Sequence, residues 1–97
     1  MPLTLESKVV RSTAVMTSPV DDELVMMALE SSQYFGLNRV GRRIWELLET
    51  PTTVAAVCVQ LVKEFAVEPQ QCADEVLAFL TALVQDGTVR RLDSPAD

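Results

Sequence analysis

The sequence predicts an α+β domain in which a three-stranded antiparallel sheet is followed by three helices. Up to Leu37 the apolar residues come in short β-type runs, and from Asn38 onward they recur with the 3.6-residue period of an amphipathic helix. The 97 residues, 48% of them apolar and 23% charged, suffice for one compact domain with one small core. The apolar runs are all shorter than the roughly 18 residues that a bilayer-spanning helix needs.

The strands are predicted in the first part of the chain. Residues 1–12 show no sustained period and are expected to form a loose arm or a short edge strand. Residues 14–18 are the first strand of a meander, and the proline and aspartates of residues 19–22 are typical of a turn. Residues 23–30, with six apolar residues between two acids, are expected to be the central strand, and residues 33–37 the third.

The third strand is expected to lie at the margin of the meander. Phe35 and Leu37 point to one face of the sheet, and Tyr34 and Gly36 point to the other. If the strands lie in chain order, one side of this strand is unpaired, and its N–H and C=O groups are a template for an extended peptide. The unpaired edge also leaves a homodimer formed by strand pairing as an open alternative.

Each of the three helices has a residue suited to its start. Asn38 can cap a first helix that runs to about Glu49. Thr52 or Thr53 can cap the second helix, and Pro69 suits the first position of the third. The predicted inward faces of the first two helices are Val40, Ile44, Leu47 and Leu48, and Val54, Val57, Cys58, Leu61, Val62 and Phe65.

The third helix, which Gly87 is expected to end, has an unusually wide apolar arc. The arc spans roughly 160°, whereas a surface helix needs about 100° to cover a core. Either the whole arc is core in a small protein, or part of it covers a ligand. After Gly87, residues 88–92 alternate in the manner of a β-strand and are expected to form a short final strand or wing. In order around the arc, the apolar residues are Phe79, Cys72, Leu83, Val76, Leu80, Ala73, Val84 and Leu77.

The composition argues against catalysis. Histidine is absent, which removes the commonest general base and metal ligand, and we find no catalytic constellation, cofactor motif or metal site. Cys58 and Cys72 fall within apolar helical patterns and are expected to be reduced core residues. The first residues lack the pattern of a signal peptide, so a cytoplasmic location is expected. The sequence therefore predicts a protein that is not an enzyme.

The element order is that of a winged helix-turn-helix domain, which raises DNA binding as an alternative function. Fourteen acidic residues against eight basic ones give a net charge of −6, which disfavours nucleic acid and anionic membranes as partners. The third helix carries Asp74, Glu75 and Asp86 but no lysine or arginine. Another alternative is a structural partner subunit of a peptidase. Arginines 39, 42, 43, 90 and 91 are either ordinary surface charges or contacts for an acidic partner.

Beside the alternative that the whole arc is core, the pattern leaves one further functional hypothesis, which is peptide binding. A strand that adds to residues 33–37 would gain main-chain hydrogen bonds and could rest its side chains on the apolar arc of the third helix. Ala73, Leu77, Leu80 and Val84 are expected to be that apolar wall, while Phe35 and Leu37 of the strand anchor it to the helices.

The junction of the third strand and first helix resembles a known family. Residues 33–38 (QYFGLN), followed by residues 40–48 (VGRRIWELL), resemble the PqqD-like family of leader-peptide recognition proteins, and the similarity extends over residues 9–92. The resemblance implies a non-catalytic protein that captures the leader of a ribosomally made precursor peptide and delivers it to maturation enzymes. In that family the leader adds to the third strand and packs against the third helix.

The Tyr-Phe-Gly-Leu-Asn junction looks most like the members of lasso-peptide pathways. That resemblance implies a separate cysteine-protease-type leader peptidase, which acts ahead of the cyclase, as a partner. Residues 1–12 are then an N-terminal arm, residues 13–92 the PqqD-like peptide-recognition domain and residues 93–97 a disordered tail. Glu75 stands where relatives often carry aspartate. The candidate peptide-binding residues are Gln33, Tyr34, Phe35, Gly36, Leu37, Ala73, Glu75, Leu77, Leu80 and Val84.

Overall fold

A computed structural model of the chain describes residues 3–13, 15–29 and 32–92. The α+β class predicted from the sequence is confirmed. Among these residues, none of the helices combines the length and the apolarity that crossing a bilayer requires. In chain order the elements are β1 (Lys8–Arg11), β2 (Val15–Val20), β3 (Glu23–Ala28), β4 (Gln33–Leu37), α1 (Arg39–Leu47), β5 (Thr52–Thr53), α2 (Val54–Phe65), α3 (Pro69–Gln85) and β6 (Val89–Arg91).

The strands form two antiparallel sheets where the sequence predicted one. The predicted meander is confirmed as the sheet β2-β3-β4, with β3 in the middle and β4 on the outside. The second sheet has the order β5-β1-β6 and joins segments that lie far apart in the chain. The predicted final wing is therefore the strand β6, paired with β1.

The start of the chain is more ordered than its sequence predicted. A loose arm or an edge strand was expected within residues 1–12, but β1 is the middle strand of its sheet and Val9 is completely buried. This prediction is wrong because a four-residue strand is too short to show a period, and its partners become neighbours only when the chain folds. The predicted tail, residues 93–97, lies outside the described residues.

The first hairpin turns later than predicted. Pro19 and Val20 continue β2, and the turn consists of Asp21 and Asp22, with Asp21 in the left-handed region at φ 57°. Aspartate tolerates that conformation better than most residues, which fits its position at the start of a two-residue turn. The outer ends of the predicted strands, Ala14 and Glu30, lie outside the described residues.

The helix starts follow the sequence prediction. The side chain of Asn38 accepts the N–H of Gly41 at 2.9 Å, and Thr53 accepts the N–H of Ala56 at 3.1 Å. Pro69 occupies the first turn of α3. Gly87, at φ +82°, follows the end of α3 in a conformation that favours glycine.

The core lies between the helices and the inner faces of both sheets. The predicted inward residues of α1 and α2 all contribute to it, either as buried residues or as half-buried ones packed against it. The apolar residues that are buried to 2% exposure or less are Val9, Met26, Leu48, Val54, Val57, Leu61, Leu80 and Val89.

An ion pair joins α1 to α2. The guanidinium of Arg43 grips the carboxylate of Glu64 in a forked arrangement, with Nε to Oε1 and Nη2 to Oε2 both at 2.9 Å. The hydrogen bonds from Arg43 and then from Gln60 lower the pKa of the Glu64 carboxyl. The charged form of Glu64 is therefore favoured in the folded protein.

We expect the stabilising effect of Glu64 to disappear in acid. A carboxyl whose pKa is lowered by folding stabilises the protein above its unfolded pKa, about 4.3, and this contribution is lost as the pH falls through the folded value. Urea unfolding of wild type and Glu64→Gln should therefore show a larger difference in the free energy of unfolding at neutral pH than near pH 3. A difference that does not change with pH would contradict this assignment.

Candidate functional site

The outer edge of β4 is the first part of the candidate site. Among the described strands, β4 pairs only with β3, in the register that places Met26 opposite Phe35 and Val25 opposite Gly36. The two-residue turn makes Val20 and Glu23 a hydrogen-bonded pair, and hydrogen-bonded and non-hydrogen-bonded positions then alternate along each strand.

This alternation fixes which groups of β4 are available. Glu23 bonds towards β2, so the next residue, Leu24, and its partner Leu37 bond to each other across the β3–β4 ladder. By the same alternation, Phe35 and its partner Met26 also bond to each other across this ladder. Tyr34 and Gly36 therefore direct their N–H and C=O groups away from β3, towards the open edge.

The opposite margin of the sheet is less suited to an incoming strand. By the same alternation, Pro19 of β2 lies at a position whose main chain faces away from β3. Proline has no N–H and cannot complete a ladder on that side. The two margins of the sheet therefore differ: β2 has a missing donor at its edge, whereas Tyr34 and Gly36 of β4 both have one.

A cavity of about 590 Å³ adjoins the end of β4. We call it the groove. It lies between the β4–α1 junction on one side and the loop before α3, with the first half of that helix, on the other. Its residues are mostly apolar, with one polar side chain at the β4–α1 junction, that of Asn38, and three from the loop and α3. The groove is lined by Gly36, Leu37, Asn38, Val40, Gly41, Ile44, Val67, Glu68, Gln71, Cys72, Glu75, Val76 and Phe79.

The wall that α3 contributes is not the predicted one. Leu80, expected to receive a ligand side chain, is fully buried in the core. Ala73, Leu77 and Val84 are half-buried against the core and do not line the groove. The opposite end of the apolar arc, marked by Phe79, faces the groove instead. Periodicity gives the width of an arc but not the rotation of the helix, which is set here by packing of α3 against α2 and β6.

The candidate residues on β4 are placed as expected. Tyr34, 71% exposed, lies on the outer face, and Gly36 lies at the open edge. Phe35 is half-buried and Leu37 is buried, as expected for residues that anchor the strand. Gln33 is exposed at the start of the strand. Of the candidates on α3, Glu75 alone lines the groove.

Several groove residues were not among the predicted ones. Asn38, Val40, Gly41 and Ile44 were interpreted as part of α1 and of the junction that carries the family resemblance, but not as site residues. The helix is close to β4 here, because a Cβ on Gly41 would lie 3.3 Å from that of Leu37. The sequence held a signal for two others. Phe79 begins the apolar arc, and Val67 is an apolar residue in the loop between two helices. In the structure Val67 is 38% exposed.

One of the two thiols, that of Cys72, lines the groove, and that of Cys58 lies beside it in the core. Cys58 and Cys72 are free and buried, which confirms the prediction of reduced core residues. Burial raises the pKa of the Cys58 thiol to about 11, and the neighbouring Cys72 adds to the effect. Burial also raises the pKa of Cys72. Both thiols are protonated near neutral pH and act as small apolar residues, Cys72 in the groove wall and Cys58 in the core.

The arginines of α1 have partners within the chain. Arg42 donates to the main-chain oxygens of Asp21 and Glu23, which fastens the helix to the β2–β3 turn. It also pairs with Glu46, one turn further along the helix, at 3.5 Å. Arg43 is held by Glu64, and the guanidinium of Arg39 lies 5.5 Å from the ring centre of Phe65. These contacts favour a structural role for the arginines.

An open strand edge beside an apolar groove defines a domain of the peptide-binding class, and comparison with known proteins gives its family. The family described as Coenzyme PQQ synthesis protein D (PqqD) matches residues 23–89, more than half of the chain. The chain therefore belongs to the PqqD family, which confirms the resemblance found in the sequence. No curated protein matches it.

Two solved structures are similar to the whole domain. One, described as TbiB1 in complex with the TbiA(beta) leader peptide, is 32% identical, with a TM-score of 0.75, and the match covers 91% of this chain and 99% of that chain. The other is described as lasso peptide synthetase B1 complexed with the leader peptide. It is 22% identical, with a TM-score of 0.72, coverage of 84% of this chain and 96% of that one, and it supports the fold alone.

Proposed function

We propose that this protein is a non-catalytic recognition element that binds the leader segment of a ribosomally made precursor peptide in a lasso-peptide pathway. The observation that carries the proposal is the open edge of β4 beside the groove. The similarity to TbiB1, whose structure is described as a complex with a leader peptide, supports it. The acidic surface and the arginines engaged within the chain do not favour the DNA-binding alternative.

The leader binds by strand addition. Its main chain pairs with the N–H and C=O groups of Tyr34 and Gly36, which makes it the fourth strand of the sheet. One or two apolar leader side chains enter the groove and contact Val40, Val76 and Phe79. A few such anchors, together with the ladder, are enough for an affinity in the micromolar to nanomolar range, about −8 to −12 kcal/mol.

The protein presents the leader to another protein rather than altering it. The leader is held in extended form by one edge, so its other edge and the rest of the precursor stay accessible. The partner that follows from this arrangement is the leader peptidase of the same pathway, acting in the cytoplasm where the precursor is made.

A titration tests the proposal. We expect fluorescein-labelled TbiA(beta) leader, or the short precursor peptides encoded beside the gene for this chain, to increase in anisotropy on binding. In the amide NMR spectrum of the protein, the largest shifts should fall on β4 and the start of α3. Shifts confined to β2, or a failure of all these peptides to bind, would contradict the proposal.

A further inference from the structure

We propose that the groove selects peptide strands that carry a lysine or arginine beside the apolar anchor, and that Glu75 is the residue that recognises this charge. This inference rests on the proposed function, because it names the class of strand that the same groove accepts. The argument begins with the charges at the groove.

All charged side chains that line the groove are acidic. Glu68 and Glu75 contribute carboxylates, and among the described lining residues there is no lysine or arginine to balance them. The carboxylate of Glu68 is engaged, because it caps α3 by accepting the N–H of Gln71 at 2.6 Å. Glu75 is exposed and, among the described residues, has no hydrogen bond or ion pair. The groove thus offers one uncommitted carboxylate at its rim.

The charge of Glu75 acts on the groove itself. Burial raises the pKa of the Cys72 thiol, which lines the groove, and the negative charge of Glu75 raises it further. Asp74, the residue before Glu75 on α3, differs in two ways. It does not line the groove, and its carboxylate accepts a hydrogen bond from the side-chain amide of Gln70 at 3.1 Å. Position on the helix, rather than acidity in general, therefore distinguishes Glu75.

A basic side chain matches both properties of this rim. Its aliphatic stem can lie on Val76 and Phe79 while its charged end reaches the carboxylate of Glu75. An acidic side chain at the same place would be repelled by Glu75 and by the net charge of −6. An exposed ion pair of this kind changes affinity by about twofold to fivefold, enough to rank competing strands.

The test is selection from a random-peptide phage library against wild type, Glu75→Lys and Asp74→Lys. We expect strands selected by wild type to share a lysine or arginine at a fixed distance from an apolar anchor. Strands selected by Glu75→Lys should carry an acidic residue there instead. Asp74→Lys, with the same change in net charge but outside the groove, should select like wild type.

Anisotropy titrations with a selected peptide quantify the effect. Replacing its basic residue with glutamine should weaken binding to wild type by about twofold to fivefold in low salt, and less in high salt. Apolar anchors without a charge preference, or equal changes in Asp74→Lys and Glu75→Lys, would overturn the inference and leave the proposed function standing. Selection of no peptides at all would overturn both.

Discussion

We expect Gly36→Pro to weaken leader binding about tenfold or more while the protein still folds. The N–H of Gly36 faces the open edge, so its loss removes a bond to the leader and none to β3. The leader carbonyl opposite it is left unpaired, and the proline ring obstructs the approach of the strand. A loss of about 1.4 kcal/mol, or tenfold, is in the range for one unmade hydrogen bond. Anisotropy titration with the labelled leader measures it.

Gly36→Ala is the matched control for this experiment. A Cβ at this position meets no atom within 4 Å, and the φ of Gly36 is not in the left-handed region. The alanine variant keeps its N–H and should bind like wild type. Circular dichroism and thermal unfolding establish whether both variants are folded. If folded Gly36→Pro binds with full affinity, the leader does not add to β4 at this position.

The second large effect is expected at Leu80, and it concerns stability. Leu80 is completely buried, so Leu80→Ala leaves a cavity in the core and should lower the free energy of unfolding by about 2–5 kcal/mol. That is a large share of the roughly 5–15 kcal/mol that stabilises a domain of this kind. Urea denaturation of the two proteins measures the difference.

Leu77→Ala is the comparison for Leu80→Ala. Leu77 is half-buried against the core, so its truncation should cost less than that of Leu80. Neither residue lines the groove, and at a temperature where each variant is folded it should bind the leader like wild type. A variant of Leu80 that keeps its stability but loses leader affinity would instead support the site expected from the sequence.

The sequence predicts the fold well where a local pattern is strong. Asn38, Thr53 and Pro69 mark the helix starts because capping depends on a few neighbouring residues. The meander follows from short apolar runs and one turn. The sheet that contains β1 could not be predicted in the same way, because Lys8–Arg11 pairs with Thr52–Thr53 and Val89–Arg91. Those contacts form only in the folded chain.

The site shows the same division. The edge of β4 was predicted, since the strand order of a meander follows from its chain order. The helix wall was assigned to Leu77 and Val84, whereas Val76 and Phe79 line the groove. Both pairs belong to one continuous apolar arc, and the choice between its ends depends on how the helix packs. Whether the predicted residues contact a leader stays a prediction for the binding experiments.

The proline in β2 also limits how copies of this protein can associate with one another. A sheet with two reactive margins can join neighbours on both sides and grow into a fibre. Because Pro19 lies on one margin of this sheet, we expect copies that pair through the sheet to do so through β4, about a twofold axis. The proposed leader site is the same margin, so we expect leader binding and self-pairing through β4 to compete with each other.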